Sequence, residues 1–123
     1  MANSRTAYMA KQETGDATTF TPPFGCNTWQ LRFITDNSAG GSITVHTIDE
    51  DGHEVEIDGS PFKKNDGDFD ASGNLEVTLD SSNPSIKIEP DGYSANPWIK
   101  VKAYRTLDDT MNAGAYSTTL GIS

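Results

Sequence analysis

The sequence predicts an all-β protein: an antiparallel β-sandwich, immunoglobulin-like or jelly-roll in its connections, with an extended N-terminal arm. Three observations predict it. Apolar side chains recur at every second position in six short segments, turn-forming residues separate those segments, and no stretch sustains a helical period. The 123 residues allow one domain with a modest core.

The first segment, "TWQLRFIT", sets Trp29, Leu31 and Phe33 on one face against Gln30 and Arg32 on the other. "SITVHTI" places Ile43 and Val45 inward, "EVEI" does so with Val55 and Ile57, and "NLEVTLD" with Leu75, Val77 and Leu79. "SIKIE" sets Ile86 and Ile88 against Lys87. "PWIKVKAYR" sets Ile99, Val101 and Ala103 against Trp98, Lys100, Lys102 and Tyr104. Strands wet on one face and buried on the other belong to antiparallel sheets, since strands of buried parallel sheets read as unbroken apolar runs.

The connections agree with this reading. "DNSAGG" at 36–41 and "DEDG" at 49–52 suit hairpin turns. "DSSNPS" at 80–85 and "EPDGYSANP" at 89–97 carry proline and glycine and are expected to interrupt regular structure. The division that follows is a polar N-terminal arm over 1–27, a sandwich core over 28–107, and a C-terminal arm or last strand over 108–123, with a candidate seventh strand at 115–120. Tyr8, Phe20 and Phe24 are the anchors by which the first arm would lie on its own core or on a neighbouring chain, unless it supplies an ordinary edge strand.

Composition narrows the function. A net charge of −9 argues against nucleic acid, whose phosphates reward clustered cations. The acidity is local: residues 49–91 hold thirteen carboxylates against Lys63, Lys64 and Lys87, a net of −10. No apolar run approaches the ~18 residues that a membrane helix requires. The opening "MANSRTAYMAKQETGD" lacks the apolar segment of a secretory signal. Cys26 is the single cysteine, so neither an internal disulfide nor a thiol zinc site is expected. Phosphate-loop, zinc-protease and nucleophile-elbow motifs are absent, and a non-enzymatic role is expected.

Two candidate sites remain. "NDGDFDASGN" at 65–74 resembles part of a calcium loop. Its best frame puts Asp68, Asp70 and Ser72 at ligand positions 1, 3 and 5 and Gly73 at 6, but Leu79 stands where a bidentate glutamate belongs. The expectation is therefore an acidic turn without a resident cofactor, calcium at the 68–76 loop being the minority alternative. The second candidate is the outward face of the last strand. Trp98 and Tyr104 flank Lys100 and Lys102 there, as a platform for a second protein chain or for a sugar ring, unless this face simply meets the other sheet or the N-terminal arm.

A small, acidic, cysteine-poor all-β chain with polar arms and the hairpin-type stretch "SAGGSITV" resembles tailed-phage virion structural proteins, nearest to head decoration or cement proteins. The resemblance implies a virion location and an external capsid protein, a homo-oligomer and often a trimer. Its arm would dock on the major capsid protein and other virion subunits, with the acidic surface toward solvent and no nucleic acid or membrane as partner. The resemblance assigns no residues; the candidate interaction residues are those of the arm and the last strand read above, Tyr8, Phe20, Phe24, Trp98 and Tyr104. A carbohydrate-binding or adhesin-type module is the alternative.

Overall fold

Alternation in sequence becomes two facing sheets when strands pair so that every apolar side faces inward. The computed structural model describes residues 7–105. Its strands are β1 (Ala7–Glu13), β2 (Thr18–Phe20), β3 (Thr28–Ile34), β4 (Ser42–Ile48), β5 (Glu54–Glu56), β6 (Phe62–Lys63), β7 (Asn74–Asp80), β8 (Ser85–Asp91) and β9 (Trp98–Tyr104). One 3-10 turn, Lys64–Asp66, interrupts them.

Sheet A has the order β1-β9-β3-β7; sheet B has β2-β8-β4-β5, with β6 continuing β5 alongside β4. Every pairing is antiparallel. The chain is in effect one long hairpin: β4 pairs with β5 and β6, β3 with β7, β2 with β8 and β1 with β9. Rolling that hairpin lays β9 beside β3 and β8 beside β4, which closes two layers, one of four strands and one of five. This is the jelly-roll connection, and it settles the choice against the immunoglobulin-like one.

Between the layers lies one core. Sheet A supplies Trp29, Leu31, Phe33, Ile99, Val101 and Ala103; sheet B supplies Phe20, Ile43, Val45, Phe62, Ile86 and Ile88. Trp29 is fully buried, and its indole Nε1 donates to the Ser81 carbonyl at 3.2 Å, so its one polar group is satisfied.

Several expectations are corrected. Ala7–Glu13 and Thr18–Phe20 of the arm lie within the sandwich as edge strands, β1 on sheet A and β2 on sheet B, with a bend between them. "DNSAGG" is no hairpin: β3 and β4 belong to different sheets, and the stretch arches over the core. Pro90 does not end its strand but sits inside β8 opposite Ile43. There β2 has already stopped at Ile88, so the amide that proline lacks forfeits no bond on that side. Val55, expected inward, is 54% exposed, on a three-residue strand at the edge of sheet B. The candidate strand at 115–120, and the rest of the C-terminal arm beyond residue 105, lie outside the described residues.

Candidate functional site

Once the core has taken one side of each strand, no other described element covers the other side of sheet A. β9 turns Trp98, Lys100 and Lys102 outward, β1 turns Met9 and Lys11, and β3 turns Gln30 and Arg32. The register then decides neighbours. Lys11 lies directly opposite Lys100, and Arg32 lies opposite Lys100 from the other side. Met9 and Gln30 flank Lys102 in the same way. Four of the nine lysines and arginines of an acidic chain thus meet on one sheet face.

Their compensation is thin. Arg32 Nε stands 3.9 Å from Glu76 Oε2, with both side chains well exposed, a pair that adds little in water. The Lys11 ammonium sits 4.6 Å from the Trp98 ring centroid, and the Lys102 ammonium 5.6 Å from that of Tyr104. Cation–π contacts of this kind hold the lysine heads over aromatic faces without neutralising them. Among the described residues, Lys100 has no carboxylate partner. The face is also hollowed: a groove of about 510 Å³ runs across β1, β9, β3 and β7, lined by Met9, Lys11, Arg32, Glu76, Lys100 and Lys102 among others.

The five residues expected to make contacts divide. Trp98 is 37% exposed and stands at the end of this face. Tyr104 shares the face but is only 9% exposed, its hydroxyl accepting a bond from Gln30 Nε2 at 3.2 Å. Tyr8 and Phe24 are half-buried and pack on the core. Phe20, at 4% exposed, is part of that core and presents no surface to another chain. The arm's aromatics are therefore the means by which β1, β2 and the segment after them are tied to their own sandwich. Met9, 74% exposed between Tyr8 and Ala10, is the large apolar side chain that β1 offers outward.

The acidic loop has a local explanation. Asp70 Oδ1 accepts from the amides of Ser72 at 2.8 Å and Asn74 at 2.9 Å, and Asp68 Oδ2 accepts from the Lys63 amide at 2.9 Å. Gly73 has φ +86°, and a Cβ there would meet the Thr35 carbonyl and hydroxyl. Glycine is thus required by the turn itself, not by a cation. Among the described residues the grouping that could hold a metal is Asp49, Asp51 and His53, at the β4–β5 turn. There Asp49 Oδ1 accepts from the Asp51 and His53 amides at 2.9 and 2.8 Å. The His53 amide, foremost, holds the Asp49 carboxyl below the usual range. Burial pushes the Cys26 thiol up, away from the thiolate that chemistry would need.

Sequence reasoning found Lys100 and Lys102 but not their neighbours Lys11 and Arg32 as one group. The alternation in "QLRF" already turned Arg32 outward, yet nothing in "AYMAKQE" marks a strand or its partner.

No family model matches the chain, and no curated protein matches it. Among solved structures, the SPBc2 prophage-derived protein YomS superposes with a TM-score of 0.55 at 12% identity, over 85% of this chain and 96% of that one. A protein of the Bacillus endospore appendages, described as disulfide-linked pili, reaches 0.47 at 10% identity, over 88% and 93%. A family 29 carbohydrate-binding module reaches 0.43 at 10% identity, over 83% and 79%. At such identities the likeness to the prophage-derived protein concerns the fold, which it shares over nearly the whole of both chains.

Proposed function

We propose that this chain is a non-enzymatic structural protein of a phage particle, a capsid decoration or cement type of subunit that acts by surface contact. The observation that carries the reading is the outer face of sheet A. It is broad, hollowed and cationic in an otherwise acidic chain. The fold likeness to a prophage-derived protein agrees with it. Docking through the N-terminal arm takes a specific form on this fold: β1 is the edge of sheet A, and it presents Met9 and Lys11 together with the groove.

The reading predicts that gradient-purified phage particles from cells carrying the gene contain this chain in fixed proportion to the shell subunit. Its absence from such particles, by mass spectrometry, would sink the proposal. Substituting Met9→Gln, which adds no charge opposite Lys102, should release the chain from particles while leaving its melting temperature within about 2 °C, since an exposed side chain contributes little to the core.

The exposed Trp98 beside the groove favours the carbohydrate-binding alternative. Against it, the Lys11 ammonium already covers a face of that ring. Glycan binding by the parent that is lost in Trp98→Ala would establish the alternative in place of the structural role.

A further inference from the structure

Cross-strand neighbours on one sheet face stand about 5 Å apart at Cβ, and like charges there destabilise the sheet. The row Lys11–Lys100–Arg32 is such an arrangement, in a chain with twice as many carboxylates as lysines and arginines. A groove of about 510 Å³ is of a size to hold a small ligand or a few inserted side chains, and a cationic one calls for anions. The same chain supplies a fitting anion. The turn joining β4 to β5 reads Asp49, Glu50, Asp51, Gly52, and it leaves the Glu50 and Asp51 side chains exposed. It is also built firmly. The Asp49 amide donates to the His53 carbonyl at 3.0 Å, the Gly52 amide to the Asp49 carbonyl at 3.0 Å, and the Asp49 carboxylate caps two more amides.

This turn belongs to sheet B, and the groove opens on the outer side of sheet A, across the core. No molecule can place its own turn in its own groove. We infer that the acidic β4–β5 turn of one copy docks in the cationic groove of sheet A of a second copy. The contact is head-to-tail, with different surfaces on its two sides. Repetition therefore yields a ring if the rotation closes and a filament if it does not. The inference rests on the structural-protein reading and names the partner that the groove takes. Charge carries most of the recognition, so association weakens as salt rises.

The test uses the full chain and reads mass by light scattering over a range of concentration and salt. Lys100→Glu in the groove and Asp51→Lys in the turn should each weaken association at least tenfold, with unchanged circular dichroism. The chain carrying both changes restores opposite signs across the contact and should recover most of the lost association. A parent that stays monomeric at high concentration and low salt overturns the inference, as does an Lys100→Glu variant that associates like the parent. Failure of the doubly changed chain to recover overturns the turn as the occupant. A monomeric parent that binds an acidic polysaccharide through Lys100 and Arg32 also overturns it, and gives the groove to a glycan. A chain found in particles yet monomeric in solution overturns only this inference and leaves the structural reading standing.

Discussion

Lys11 and Lys100 face each other across the β1–β9 ladder on the outer side of sheet A, and Arg32 closes the row from β3. The arrangement costs stability in the isolated molecule, and the cost is electrostatic.

Removing the middle charge should therefore stabilise the isolated chain. Lys100→Gln is expected to raise stability by about 0.2–1 kcal/mol at low salt. The gain should fade near 1 M salt, where the screening length falls to about 3 Å. Urea midpoints of dilute protein at the two salt levels measure it. A midpoint that falls at low salt would show that the three cations do not oppose one another.

Phe20 separates an anchor from a docking residue. It is buried in the core, and its strand pairs with β8 from Thr18↔Ile88 to Phe20↔Ile86. Phe20→Ala should cost about 3–5 kcal/mol, a large part of the stability of so small a domain. Denaturant unfolding gives the number. A loss below about 1 kcal/mol would mean that β2 is not held by this side chain.

Gly41 lies under the ring of Tyr93, and a Cβ added there would meet Cδ1, Cε1 and Cζ of that ring. Gly40, one residue earlier, has open space at the same point. Gly41→Ala should cost about 1–3 kcal/mol through the displaced ring, while Gly40→Ala stays within about 0.5 kcal/mol. The phenol reports the displacement. Burial, with a smaller contribution from the Asp36 charge, pushes the Tyr93 hydroxyl up to about 12. In Gly41→Ala it should titrate nearer the ordinary tyrosine range. Equal melting temperatures for the two alanine variants would contradict the account.

Asp36 joins two arches between the sheets. Its carboxylate accepts from the Ser38 hydroxyl at 2.5 Å and the Ser38 amide at 3.0 Å, and reaches across to the Ala95 amide at 2.8 Å. The Ser38 hydroxyl first, then the Ala95 amide, hold this carboxyl below its ordinary value of 3.8. A carboxyl that ionises more readily folded than unfolded adds stability above the unfolded value, and that stability is lost as pH falls through the folded value. Asp36→Asn should therefore melt below the parent at neutral pH, with the gap narrowing as the solution becomes more acidic than 3.8. Parallel melting curves down to the acid limit of folding would rule out the carboxylate as the joint.

The legibility of the fold followed the strength of local pattern. β3, β4, β7 and β9 were readable because two or three apolar side chains alternate with polar ones, and β3, β4 and β7 begin where the sequence placed them. β1 and β2 were not. "AYMAKQE" has no branched apolar run and pairs on one side only, so nothing in its composition separates an edge strand from an arm. β6 consists of two residues. Of the candidate site, the outward Trp98, Lys100 and Lys102 of β9 and Gln30 and Arg32 of β3 follow from alternation within single strands, whereas their meeting with Lys11 does not.

By itself, then, the sequence determined that the chain is an antiparallel sandwich, which side of most strands is wet, and that residues 49–91 carry the acidity. Those properties are written in neighbouring residues, because side-chain direction in a strand depends only on the pleat. Tertiary structure decided the jelly-roll order, the absorption of residues 7–20 into the sheet edges, and the meeting of Lys11, Lys100 and Arg32. These depend on which strands pair and in what register, a choice among segments with nearly the same pattern. It is made when all the inward side chains must fill one core together, not by any segment on its own.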